Sequence, residues 1–412
     1  MVHAVPSRRQ ACRIGLEAAI VLVGIALLAC AWAMDERWLA THFPPDYSPP
    51  YSLIHDLVQM ARIVLAVAGI GVIFLVRGKA GLILERGVSG TRLLLVAAVI
   101  LAIMLALGAA DLVLGSSEWG SVEPRHRLGE PLRKRDPVLG WVLMPSHTGY
   151  LVTGGRRIRY SNDAFGYREP DQNHAPDFAR PTIVLAGESV MGGFGLQWDE
   201  SIAGQLAPLM KTQVVDLSVG GYATDQIYLR LKSELRRFRQ PVAVVMLFSP
   251  MLFRRNGEDG RPHLGPDLVW HPAVGRSKLA ALARWAIPYR SVEETDRSIH
   301  TTRAILKAFV SLAKSRGAIP VVLVPQFVPE NPAEQQIRLR VLGNIDLPVV
   351  SVSLDQHWRV PQDWHPNAHA AQVIATAIAR RLGPLLDHHD VGVTDRLPPL
   401  QEHPSRASTV AG

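Results

Sequence analysis

Residues 181–189 read PTIVLAGES, and this short stretch decides how the second half of the chain folds. Its apolar run is continuous rather than alternating, which marks a strand buried on both faces, as in a parallel sheet. Four runs of the same kind follow: VVDLSV at 214–219, VAVVMLF at 242–248, IPVVLVP at 319–325 and LPVVSV at 347–352. Helical patterns separate them. Residues 225–239 place Ile227, Leu231, Leu235 and Phe238 on one stripe. Residues 301–316 form a second helix that stops at Gly317, and residues 367–382 a third. Alternating strands and helices predict an α/β unit over residues 181–382, a three-layer α/β/α parallel sheet interrupted by an insertion at 250–300.

Outward from that unit, residues 116–180 are rich in Gly, Pro and Arg with short apolar runs, and predict a lead-in of short strands joined as hairpins. Beyond it, residues 383–412 are rich in Pro, Asp and His and predict a disordered tail. Residues 1–115 have another character. Charged residues are only 19% of the 412-residue chain and hydrophobic ones 48%, and the apolar excess is concentrated here. Three segments reach the ~20 residues a membrane helix needs: about 15–34, 57–76 and 93–114. The second carries Arg62 near one end, where a long side chain can snorkel. These three transmembrane helices predict a retained membrane anchor, with the lipid bilayer as partner.

Loop charge predicts its orientation. Arg8, Arg9 and Arg13 precede the first span, and Arg77, Lys79, Arg86 and Arg92 lie between the second and third, whereas the first loop is acidic and aromatic. Basic loops stay in the cytoplasm. The prediction is a multi-pass protein of the cytoplasmic membrane with everything after Gly115 outside. Much of the net charge of +8 belongs to these flanks, which argues against a nucleic-acid partner. Two cysteines, Cys12 and Cys30, exclude a disulfide framework.

In an open parallel sheet, ligands bind beyond the carboxyl ends of the strands. The first strand ends in GESVMGGFG at 187–195, so Ser189 follows a sharp turn and is expected at the start of a helix. A serine in such a place is often only a helix cap. Near the end of the unit stands QDWHPNAHA, with Asp363 and His365 after the last strand. A serine nucleophile needs a base, and the base needs an orienting carboxylate. Ser189, His365 and Asp363 supply the three on elements that the sheet brings to one edge. The plainer alternative is that Asp363 and Asn367 cap a helix while His365 is solvated. His365 and His369 stand four apart like metal ligands, but no third ligand and no H-E-x-x-H accompany them, and DHHD at 387–390 lies in the polar tail. No metal and no cofactor are expected.

With these residues in hand, the sequence resembles the SGNH (GDSL-type) esterases and acyltransferases, across 181–382 and more loosely from Leu139. Their first block, G-D-S and a glycine turn, is similar to Gly187-Glu188-Ser189 with Gly192, Gly193 and Gly195. Their second, N-x-G-x-x-G-Y-x-T-x-Q, is similar to DLSVGGYATDQ, and the last, D-x-H-x-N of the membrane-anchored branch, to Asp363, His365 and Asn367. YSNDAFGYRE resembles lead-in text of that branch. The resemblance implies a Ser-His-Asp triad of Ser189, His365 and Asp363. It also implies an oxyanion hole from the backbone N–H groups of Ser189 and Gly221, and an ester-bearing substrate, with glycans such as a polysaccharide favoured. The third block departs: where Asn-Asp should follow the third strand, the chain reads LFSPMLFRRN, with Pro250 and Met251 at that place. Asn256 is the candidate replacement, while Asn162-Asp163 precedes the nucleophile in chain order. Two readings stay open: an extracytoplasmic serine esterase or O-acyltransferase, and a catalytically weak or inactive glycan-binding or assembly protein on the same fold.

Overall fold

The computed structural model describes residues 8–43, 51–76, 132–250, 261–274 and 289–394. The third expected span at 93–114, residues 116–131 of the lead-in and Asn256 lie outside the described residues.

The chain is a mixed α/β fold built on a large central sheet. Helices α1 (Arg8–Ala33), α2 (Glu36–His42) and α3 (Tyr51–Gly71) come first, followed by the β1 (Arg133–Asp136) and β2 (Gly140–Leu143) pair. The sheet takes β3 (His147–Thr153), β4 (Arg156–Asn162), β5 (Arg168–Glu169), β6 (Pro181–Ala186), β7 (Gln213–Asp216) and β8 (Gln240–Leu247). Helices α4 (Ile202–Met210) and α5 (Thr224–Glu234) connect the last three of these strands. A small pair follows, β9 (His263–Leu264) with β10 (Trp270–His271). The chain continues through α6 (Val292–Ser315), β11 (Ile319–Val328), α7 (Pro332–Leu342), β12 (Val349–Asp355) and α8 (Ala368–Thr394).

The eight strands lie in the order β12-β11-β8-β6-β7-β5-β4-β3. The five expected strands are mutually parallel. Their runs are buried on both faces: Val184 and Val244 enter one core with α5 and α6, while Ile183 and Leu185 enter the other with α4 and α8. From β6 the chain goes to β7 on one side, then crosses to β8 on the other. The loops leaving β6 and β7 therefore open a crevice at the carboxyl edge.

Three expectations about this part of the chain change. The sheet is not wholly parallel, because the lead-in strands β3, β4 and β5 join it antiparallel beyond β7. They pair with backbone groups that an open edge would leave bare. The β3–β4 turn uses Gly154 and Gly155 at φ 55° and 72°, the left-handed pair a two-residue hairpin needs. The expected insertion at 250–300 ends early, since α6 already begins at Val292 on a Ser291/Glu294 capping box. The third helix does not stop at 382 but runs to Thr394, through what the sequence predicted as tail; residues 395–412 lie outside the described ones.

The membrane expectation also shifts. Among the described residues, one helical segment, Ile54–Leu75, is long and apolar enough to cross a bilayer, with mean hydropathy 2.2, whereas the apolar part of α1 spans only Glu17–Ala33. Arg62, the suspect residue of the second segment, sends its Nε to the carbonyl of Ala31 at 3.0 Å and its Nη1 to Gln59 Oε1 at 3.0 Å. Ala31 is in the last turn of α1, where carbonyls lack helical partners, so the charge serves as a cap. The two helices touch through glycine: a Cβ at Gly24 would stand 2.9 Å from Gly69 O, and one at Gly69 2.8 Å from Gly24 O. Small residues of this kind let membrane helices approach closely.

Behind the carboxyl edge lies a buried acidic group. Burial, with the charges of Asp163, Asp216 and Asp171, pushes the Glu169 carboxyl up to about 9. It holds a proton at neutral pH that the unfolded chain, near 4.5, releases. The folded state therefore binds more protons across that window, and stability falls as pH rises from about 4.5 to 9. Melting temperature followed against pH will drop over this range, and Glu169→Gln, which carries no titrating proton, will flatten the curve.

Candidate active site

Strand β6 delivers the chain into a tight turn, not the helix expected at Ser189; the next helix, α4, begins only at Ile202. Gly187 is required there, since a Cβ would lie 2.4 Å from Met191 Cβ. One closed turn follows, with Gly192 N–H donating to Glu188 O and Phe194 N–H to Ser189 O, both at 2.8 Å. Gly193 and Gly195, at φ 64° and 79°, then break any helix. What holds the turn is Arg168. Its buried guanidinium donates to the carbonyls of Gly192, Gly193 (2.8 Å) and Leu196 (2.6 Å) and lies 4.4 Å from the Tyr160 ring centroid. Tyr160 OH in turn accepts from Gly195 N–H at 2.7 Å.

The loop after β12 folds back on itself. Val360 N–H donates to His365 O and Asp363 N–H to Val360 O, both at 2.9 Å, with Asn367 N–H to Trp358 O at 3.0 Å. Asp363 Oδ1 accepts from the backbone N–H of His365 at 2.9 Å and meets its ring Nδ1 at 2.5 Å. The opposite ring nitrogen, Nε2, lies 2.8 Å from Ser189 Oγ. With Nδ1–H donating to the carboxylate, Nε2 presents a lone pair to the hydroxyl. The imidazole is clamped between Phe194 and Trp364, at centroid distances of 4.2 and 3.5 Å. Burial would raise the Asp363 pKa, but the hydrogen bonds from His365 and Trp364 outweigh it and hold the carboxyl below its ordinary value.

Glu188, to which the sequence reading gave no role, lies against Ser189. Its buried side chain accepts from Val190 N–H at 3.0 Å through Oε1, and Oε2 contacts Ser189 Oγ. A glutamate is one methylene longer than the aspartate of the family block. One hydroxyl proton serves one acceptor, so Glu188 competes with His365 for it.

The second expected block passes directly beside Ser189. A Cβ at Gly220 would stand 3.5 Å from Ser189 Cβ, and Gly221 holds φ 84°. The loop is tied on both sides. Val219 N–H donates to Gly187 O at 3.2 Å, Trp141 Nε1–H to Gly220 O at 3.3 Å, and Tyr222 OH to Trp141 O at 2.5 Å. Trp141 comes from β2, so the lead-in sets the pose of the loop that carries Gly221 N–H. Asn256 lies outside the described residues. Asn162, set aside on chain order, lines the same cavity as Ser189, although its Nδ2 already donates to Met144 O at 3.1 Å.

That cavity, about 70 Å³, is walled mainly by Leu132, Leu143, Leu151, Tyr160 and Phe194, with Arg133 and Ser189 on its lining. No group of three or more His, Cys, Asp or Glu side chains among the described residues is placed to hold a metal. The His365–His369 pair divides instead: His365 faces Asp363 and Ser189, and His369 packs edge-on to Trp358 at 4.4 Å. Sequence reasoning missed Arg133, Trp141, Tyr160 and Arg168, which act from the lead-in. The only signal for them was the YSNDAFGYRE text that contains Tyr160 and Arg168.

No family model matches the chain, and no curated protein matches it. Several solved structures do. A lipolytic protein of the G-D-S-L family from Desulfitobacterium hafniense shares 14% identity over 49% of this chain and 99% of its own, at a TM-score of 0.33. A family two carbohydrate esterase from Clostridium thermocellum, in complex with cellohexaose, shares 12% over 52% and 67%, at 0.35. A salicylyl-acyltransferase of a tetracycline biosynthetic pathway shares 12% over 52% and 57%, at 0.26. Overlaps of that size decide neither activity nor substrate, which must come from the site's own geometry.

The arrangement makes Ser189 a nucleophile only if its base is held in one tautomer. Asp363→Asn keeps the shape and removes that control. Phosphonylation of Ser189 by a neutral fluorophosphonate is expected to slow by about 10⁴, the size of the effect in the serine-protease triad. Stopped-flow or gel-based labelling will measure it.

Proposed function

We propose that the chain is a membrane-anchored serine enzyme of the SGNH type that acts on ester-linked acyl groups through Ser189, His365 and Asp363. The relay of 2.8 Å from Ser189 Oγ to His365 Nε2, and 2.5 Å from Nδ1 to Asp363, carries this reading. His365 takes the Ser189 proton as Oγ attacks the ester carbonyl, and the oxyanion forms against the N–H groups of Ser189 and Gly221. His365 then gives the proton to the leaving alcohol. The acyl-enzyme passes its acyl group to an acceptor hydroxyl whose proton His365 removes. Water as acceptor makes an esterase; a sugar hydroxyl makes an O-acyltransferase. The short apolar cavity beside Ser189 supports an acyl rather than a charged group next to the nucleophile.

Glycan esters at the outer face of the cytoplasmic membrane are the proposed substrates. Supporting that location are the basic flanks at Arg8, Arg9 and Arg13 and at Arg77 to Arg92, the apolar segment Ile54–Leu75, and the exposed apolar side chains of α3, Ile63, Val64 and Val67 among them. The missing third block favours the second reading, a glycan-binding protein without turnover.

Full-length protein in detergent will separate the two. A fluorophosphonate probe and a panel of p-nitrophenyl and glycan esters should label and turn over the parent. Ser189→Ala should do neither, and His365→Ala should fall by about four to six orders of magnitude. Well-folded parent that neither labels nor turns over any ester would leave the binding reading. Reporter fusions after Gly115 that are active only in the cytoplasm would refute the orientation.

A further inference from the structure

The loop at 219–222 is gripped by both strands of the β1–β2 pair. From β2, Trp141 donates to the carbonyl of Gly220. From β1, Arg133 approaches the same residue, with Nη2 2.8 Å from where a Gly220 Cβ would stand. Ser189 Cβ is 3.5 Å from that same point. The guanidinium and the nucleophile therefore flank one bare glycine, and Gly221 N–H, the expected oxyanion donor, is the next group along the chain. Arg133 and Ser189 also line the same cavity. On β1 the neighbouring Lys134 and Arg135 are exposed, while Arg133 is partly buried. After β8, where a third donor would be expected, stand Ser249 and Pro250, neither with an amide side chain and Pro250 without an N–H.

We infer that Arg133 is a catalytic residue, the third donor to the oxyanion that forms on attack by Ser189. This inference rests on the ester-acting reading above. A guanidinium suits the task because it stays charged at all working pH values and offers rigid N–H forks. Hydrogen bonds from a charged donor are roughly twice as strong as neutral ones. Negative charge appears on the carbonyl oxygen only as the tetrahedral species forms, so Arg133 acts mainly on kcat. Gly220 is bare because any side chain would displace the guanidinium from this position.

The test is the rate of Ser189 phosphonylation by a neutral fluorophosphonate, whose phosphoryl oxygen takes the oxyanion's place, alongside hydrolysis of neutral and carboxylate-bearing esters by the full chain. Arg133→Met should lower both neutral rates by about 10²–10³, the usual loss for one oxyanion donor, with KM little changed. Arg133→Lys, which keeps the charge, should retain more activity than Arg133→Met. Added guanidinium ion should restore part of the rate to Arg133→Ala, a recovery that a merely structural arginine would not show. Unchanged neutral rates in Arg133→Met would overturn the inference and leave the ester-acting reading intact. Loss confined to carboxylate-bearing esters would overturn it in favour of a contact to substrate charge. Equal loss in the Lys and Met variants without guanidinium rescue would make Arg133 a scaffold residue. A parent protein that does not label at Ser189 would overturn the functional reading, and this inference with it.

Discussion

The Arg168 guanidinium is the constraint on which the site depends. The turn after β6 exposes carbonyls that belong to no helix or strand, and a buried carbonyl without a partner costs roughly 1–3 kcal/mol. Arg168 satisfies those of Gly192, Gly193 and Leu196 from a single planar group. It can do so only because β5 pairs beside β7, which places a lead-in strand at the edge next to the nucleophile. The antiparallel extension of the sheet is thus part of what holds Ser189 in place. Tyr160 on β4 completes it, receiving Gly195 N–H and covering the guanidinium with its ring.

Acidic groups collect near Arg168. Asp216 and Glu169 are both pushed upward by burial, Asp216 to about 6 and Glu169 to about 9. Both lie close to β5, behind the nucleophile turn rather than in the relay. Asp363 behaves in the opposite sense, because hydrogen bonds to its charged form outweigh its burial. Hydrogen bonding to the charged form thus dominates at Asp363, whereas burial dominates at Glu169 and Asp216. Glu188 is also buried, and it touches the Ser189 hydroxyl. The one proton of that hydroxyl is thus within reach of two acceptors, Glu188 Oε2 and His365 Nε2.

The N-terminal helices show a similar division between composition and packing. Apolar content alone ranked the first segment above the second, because Arg62 interrupts the latter. In three dimensions Arg62 meets the last-turn carbonyl of Ala31, and the glycines of the two helices meet at Gly24 and Gly69. Hydropathy sums treat a charge as a cost at its own position and do not see the carbonyl of another helix. The segment between the helices also reaches the sheet-bearing part, where Arg290 N–H donates to His42 O at 2.7 Å and Tyr289 stacks on His42.

Sequence by itself determined the parallel core and the order of its strands along the chain, since a run such as IVL at 183–185 can be solvated on neither face. It also singled out Ser189, Asp363 and His365, because the carboxyl edge of such a sheet gathers loops that are far apart in sequence. The span 189–365 closes to 2.8 Å only through that sheet. Helix α4 went unread because its short apolar stretch follows a turn and contains Pro208, and α7 because its stripe is weak. The tertiary structure alone decided the rest: which edge the lead-in joins, which carbonyls Arg168 meets, and how Arg133 and Trp141 close on Gly220. Those contacts depend on distance between chain segments with no periodicity to announce them, and periodicity is the only long-range information that a single sequence carries plainly.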